Sequence, residues 1–149
     1  MFVRLGKKIK IVKSSDVYFL ICSILKRQQP IDRDKEFLFV IGLKADNHIK
    51  YVDIVSIGNL KGTIATGREI FRSAVKLGSA AILICHNHPS GNIKPSQNDI
   101  ELTNRMVEIG HFLDIPVLDH VIVTTDNGYY SFADENLILF NNKAKRYTT

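Results

Sequence analysis

Two histidines separated by one residue, His86 and His88, open a loop that ends at Ser96 and Asp99. The full stretch over residues 85–99 is Cys-His-Asn-His-Pro-Ser-Gly-Asn-Ile-Lys-Pro-Ser-Gln-Asn-Asp. Imidazole and carboxylate are donors that zinc takes in hydrolytic sites, usually three from the protein with a fourth position left to water. Side chains at i and i+2 of an extended segment share a face, so both imidazoles can meet one ion at the exit of a strand. Asp99 supplies a third donor. In the first turn of a helix the dipole favours the ionised carboxylate, the form a ligand must have. Pro89, Gly91 and Pro95 fold the intervening loop back, so that the helix start can face the strand end. Ser96 and Asp99 also have the spacing of a helix cap, a serine with an acid three residues on; the capping and ligand roles are compatible. The zinc deaminases, by contrast, require His-x-Glu and Pro-Cys-x-x-Cys, and neither is present. The tripeptide His86-Asn87-His88 is likewise unrelated to the nucleases named for those three residues, in which they are dispersed over a ββα unit.

The elements that must carry these residues can be read from periodicity and turn signals. Residues 2–13 are expected to form a strand, with Lys8, Lys10 and Lys13 among Ile9, Ile11 and Val12. Ser14, Ser15 and Asp16 offer a cap to a helix from Val17 to Gln28. Glu36 to Leu43 is a nearly unbroken apolar run, as a central strand requires. Asp46-Asn47 turns it into a second strand, His48 to Ile57. After a polar loop from Gly58 to Gly67, a helix from Arg68 to Leu77 sets Ile70, Phe71, Ala74 and Leu77 on one face and stops at Gly78. Ala80 to Cys85 is a short buried strand ending at His86, and the next helix runs from Gln97 to about Phe112. Val117 to Thr124 is a strand that Asp126-Asn127-Gly128 turns into Tyr129 to Phe132, and a last helix is expected over Ala133 to Phe140. The pattern predicts a single α/β domain over 1–149, with its core at about 15–140. Its sheet should be mixed and largely antiparallel, with helices packed on it.

Composition bounds the class of protein. A length of 149 residues with 45% hydrophobic and 23% charged content suits one globular domain. No apolar run approaches the ~20 residues of a membrane span. Residues 1–11 have too many lysines for a secretory leader, so a cytoplasmic location is expected. Cys22 and Cys85 are too few for a disulfide framework and are expected to be buried free thiols. The net charge of +5 is unevenly distributed: residues 1–13 carry five basic groups and 141–149 three, which leaves a net of −3 between them. Nucleic acid would therefore have to be met by the basic termini; solubilising tails are the plainer reading.

His86-x-His88, then Ser96 and Asp99, resembles the JAMM motif of the JAB/MPN metalloprotease superfamily. The longer text resembles the RadC family: Lys61-Gly62-Thr63, His86 through Gly91, Pro95-Ser96, Asp99 through Thr103, Ile115 through His120, and Gly128 through Phe132. The likeness covers about two-thirds of the chain, from Glu36 to Phe132. It implies the JAB/MPN, cytidine-deaminase-like arrangement, with one zinc ion on His86, His88 and Asp99. It also implies Glu36 as general acid/base, Ser96 as donor to an oxyanion, and an amide or isopeptide bond of a peptide or protein as substrate. Glu69 is the other upstream acid worth weighing, but its place in a helix suits a solvated residue. Asp119 and His120 stand either as outer partners of the ligands or as a hydrogen-bonded core pair. The family's repair-linked name makes a nucleic-acid-associated accessory protein the rival reading, although only one short helix precedes the first core strand, leaving no room here for the helix-hairpin-helix segment RadC proteins often carry. A metal-free interaction scaffold is a third.

Overall fold

The structure is a computed structural model that describes residues 1–29, 32, 34–58 and 65–137. Along the chain run α1 (Ser14–Lys26), β1 (Glu36–Leu43), β2 (Ile49–Gly58), α2 (Gly67–Leu77), β3 (Ala81–Asn87), α3 (Gln97–Phe112), β4 (Val117–Val123) and β5 (Tyr129–Ser131). The strands make one five-stranded sheet in the order β2-β1-β3-β4-β5. β1 is antiparallel to both β2 and β3, and β4 is antiparallel to β5. Only the β3–β4 junction is parallel. A parallel pair cannot be joined by a tight turn, and α3 is the crossover that joins this one. The sheet is thus mixed and largely antiparallel, flanked by helices, as the pattern predicts.

Strands β1, β3 and β4 are buried along almost their whole length. A strand of that kind needs a cover on each face. On one face α1 lays Val17, Leu20, Ile21 and Ile24 against Phe37, Phe39, Leu83, Cys85 and Val121. On the other, Ile70, Phe71 and Ala74 of α2 and Met106 of α3 cover Leu38, Val40, Ile82, Ile84 and Ile122. α3 comes close because residue 110 is glycine: a Cβ there would stand 2.5 Å from the carbonyl oxygen of Ile115. Any side chain would lift the C-terminal half of the helix off β4.

Several boundaries differ from the sequence reading, for local reasons. Residues 2–13 do not form a strand. They make two isolated bridges, Phe2–Asp53 on β2 and Lys10–His48 just before it, and leave that edge around Gly6 and Lys7, where no apolar alternation holds a register. α1 begins at Ser14 rather than Val17 because Asp16 reaches back to accept from the N–H groups of Val12 and Lys13. β3 continues two residues beyond Cys85, since Leu38 on one side and Val123 on the other still pair with His86 and Asn87. Leu77, expected on the buried face of α2, is exposed at the last turn before the left-handed Gly78. The helix expected after β5 is absent over 133–137, which forms turns with Asn136 at φ 50°; the remainder of that expectation lies outside the described residues. So do Lys61-Gly62-Thr63 and the basic segment 141–149. Among the described residues no helix is long and apolar enough to cross a membrane.

Candidate metal centre

The strand period places His86 on the face of β3 that α2 and α3 cover, while Cys85 points to the opposite side and packs in the α1 layer. His88 follows at the strand exit, its N–H held by the carbonyl of Val123. Its Nδ1 donates to the carbonyl oxygen of Asn92 at 2.6 Å, which leaves Nε2 with the lone pair. Gly91 makes the loop turn possible at φ 83°, and Asn127 donates to its carbonyl at 2.8 Å. Pinned in this way, the loop delivers Ser96 to the N-terminus of α3. The Ser96 hydroxyl accepts from Asp99 N–H at 3.1 Å, and Asp99 accepts from Ser96 N–H at 2.8 Å. This reciprocal cap fixes the carboxylate at the mouth of the loop.

The three candidate ligands meet. His86, His88 and Asp99 each bring one donor atom to within 4.8 Å of the others. His86 Nε2 lies 2.8 Å from His88 Nε2 and 3.2 Å from Asp99 Oδ1, and His88 Nε2 lies 3.3 Å from Asp99 Oδ2. Tetrahedral coordination at zinc–ligand lengths of about 2.0–2.1 Å spaces its donors by about 3.3 Å. The donor set suits such an ion, and its spacings of 2.8, 3.2 and 3.3 Å, measured to the two different oxygens of Asp99, lie at or below that value. The electrostatics agree, because electron-rich atoms converge here and demand positive charge among them. Burial acts to raise the Asp99 carboxyl, but the imidazoles of His86 and His88 beside it and the Ser96 N–H outweigh it and hold the group far below the usual carboxylate range. Burial likewise acts to lower the His88 imidazole, and the nearby Asp99 carboxylate and the Asn92 carbonyl overcome that and raise it.

Glu36 begins β1, two residues before Leu38, which pairs with His86, so the antiparallel register carries it toward His88. It lines one cavity of about 380 Å³ together with His88, Ser96 and Asp99. Asn87 explains how the strand start is held. Its side chain points away from His86, accepts from Phe37 N–H at 2.6 Å and donates to the carbonyl of Lys35 at 2.9 Å, bracketing Glu36 on both sides.

Of the two outer candidates, His120 borders the cluster and Asp119 does not. His120 is fully buried, 2.7 Å from His86 Nδ1 and 2.5 Å from the Thr103 hydroxyl. Asp119 faces the other side of β4, where it accepts from Ser131 Oγ at 2.5 Å and from Ala133 N–H at 2.9 Å and ties down the turn after β5. Sequence reasoning missed Thr103, Asn92 and the clamp made by Asn87. Thr103 at i+4 from Asp99 was the one visible hint, since a threonine at that spacing bonds back to the carbonyl. Cys22 is half-buried rather than buried, His48 pairs with Asp46 at 3.0 Å, and His111 is exposed.

Comparison with known proteins adds the relationship. Residues 11–137 match the sequence profile of the family described as "RadC-like JAB domain". A UPF0758 protein of Enterococcus faecalis is 48% identical over 102 residues, 68% of this chain and 44% of its own length. One from Moorella thermoacetica is 42% identical over 105 residues, covering 70% and 45%. One from Methanosarcina barkeri is 39% identical over 131 residues, covering 88% and 55%. The chain spans about half the length of the curated relatives it matches.

Proposed function

The chain belongs to the RadC-like JAB domain family, and from that premise we propose that it is a zinc-dependent hydrolase of amide or isopeptide bonds in a peptide or protein. The observation that carries the reading is the convergence of His86, His88 and Asp99 donors within 4.8 Å of one another beside a cavity that Glu36 and Ser96 line. His86, His88 and Asp99 would hold the zinc, which when bound would lower the pKa of a water to about 7. Glu36, which lines the same cavity, would accept a proton from the attacking water and pass it to the departing amine. Ser96 keeps its hydroxyl hydrogen free of the cap, because its oxygen is the acceptor from Asp99 N–H. It donates that hydrogen to the carbonyl oxygen as negative charge develops there. At about 380 Å³ the cavity is within the range of pockets that take a small ligand or a side chain.

Elemental analysis of the full chain purified without chelator tests the metal. One zinc per chain is expected, and none in His88→Ala or Asp99→Ala; a wild-type protein without stoichiometric metal overturns the reading. Glu36→Gln should keep its zinc and lose turnover of peptide-bond substrates by about 10²–10⁴-fold.

A second reading, an accessory role on nucleic acid, is favoured by one observation: Arg4, Lys7, Lys8, Lys10 and Lys13 are all exposed beside the β2 edge. Affinity for DNA that falls steeply with salt and vanishes on neutralising these five would support it.

A further inference from the structure

We propose that Thr103 and His120 are positioning residues that select the tautomer of His86 and so aim its Nε2 lone pair into the metal centre. The purpose assigned to them rests on the zinc reading above; the direction of the relay does not.

That direction starts from an atom with no choice. The carbonyl oxygen of Asp99 can only accept, so the Thr103 hydroxyl, 2.6 Å away, donates to it. A hydroxyl has one hydrogen, so toward His120 Nδ1, at 2.5 Å, Thr103 Oγ1 must be the acceptor. His120 Nδ1 therefore carries a hydrogen. The ring is completely buried on the α3 face of the sheet, where the charged form is disfavoured, and a neutral imidazole with hydrogen on Nδ1 has its lone pair on Nε2. That lone pair lies 2.7 Å from His86 Nδ1, which must then be the donor. His86 is left with Nε2 bare, facing His88 and Asp99.

Two more features mark the relay as built for orientation. Phe132 stacks on the His120 ring, with centroids 4.8 Å apart and planes 12° from parallel, so the imidazole cannot swing away. The relay also begins and ends on ligand residues: it leaves the backbone of Asp99 on α3, crosses Thr103 and His120, and reaches the side chain of His86 on β3. Outer partners of this kind, which orient a ligating histidine and fix its tautomer, are worth about 10–100-fold in metal affinity.

The test uses the full chain with Thr103→Val, Thr103→Ser and His120→Phe. Nitrogen-15 imidazole spectra of the wild type should show His86 with hydrogen on Nδ1, with and without zinc. Competition against a chromophoric chelator should show zinc affinity about 10–100-fold weaker in Thr103→Val and His120→Phe, with Thr103→Ser close to wild type. The cobalt-substituted spectrum should shift in the first two variants and not in the third. If Thr103→Val fails to fold, His120→Phe carries the same measurements. Folded variants with wild-type zinc affinity, or a wild-type His86 with hydrogen on Nε2, overturn the proposal. A wild-type chain that takes up no zinc while His86 carries its hydrogen on Nδ1 overturns the zinc reading and leaves the tautomer assignment in place.

Discussion

Ser96 caps α3, and the oxyanion role proposed for it can be separated from capping by measurement. As a cap its loss should cost about 1 kcal/mol, read as a lower denaturation midpoint in Ser96→Ala. As a donor to a charged oxygen its loss should cost about 10²–10³ in kcat. Ser96→Asp keeps a capping oxygen and removes the hydroxyl, so it should recover stability and not turnover. The two cysteines make a contrasting case, in which burial removes chemistry. Burial pushes the Cys85 thiol well above its ordinary range and raises that of Cys22 as well. Cys85 should resist alkylation at pH 8 in the folded chain and react readily in guanidinium, while the half-buried Cys22 should be slowed and not blocked. Above about pH 8.5 the unfolded chain gives up thiol protons that the folded chain keeps, so stability should fall as pH rises; the slope should diminish in Cys85→Ala. The grouping of His86, His88 and Asp99 was legible in the sequence because it follows from residue type and local spacing. The partnership of His120 with Thr103 was not, since it joins positions 17 apart through the packing of a helix on a strand.

Among the elements, β1 and α3 were read most closely, for different reasons. β1 is apolar without interruption, and α3 has its start marked by a serine and an acid at capping distance. The N-terminal segment misled because lysine and isoleucine alternate over only part of it; two isolated bridges were all that pattern could support. The expected C-terminal helix failed where Asn136 adopts a left-handed conformation, which no apolar count reveals. Asn87 shows what an element-level clamp is worth. Replacing it by alanine leaves the buried N–H of Phe37 without its side-chain acceptor, at about 1–3 kcal/mol. Zinc content should be unchanged in the folded variant while turnover drops, because the ligands stay in place and the start of β1 does not. Metal analysis beside steady-state kinetics distinguishes this from damage to the ligands themselves.

At the scale of the whole molecule, the fold class was legible because alternating apolar strands and amphipathic helices leave few ways to cover a sheet. The sheet order was not, since which strand becomes parallel depends on where α3 returns the chain. A ligand that binds only the folded state stabilises it by about 2.7 kcal/mol at a hundred times its dissociation constant. Removing zinc with a chelator should therefore lower the melting temperature, and His88→Ala should lack this response. The parallel junction of β3 and β4 gives that stabilisation an address. Two of the candidate ligands leave β3, and the third rides on the crossover helix that must return before β4 can pair. Non-local pairings of this kind form slowly, because the loop between them must close before the contacts are made. Zinc would act there as a rivet, shortening the free segment from strand to crossover. Amide exchange in β3 and β4 should quicken on chelation while the β1–β2 hairpin, closed by its own turn, keeps its protection.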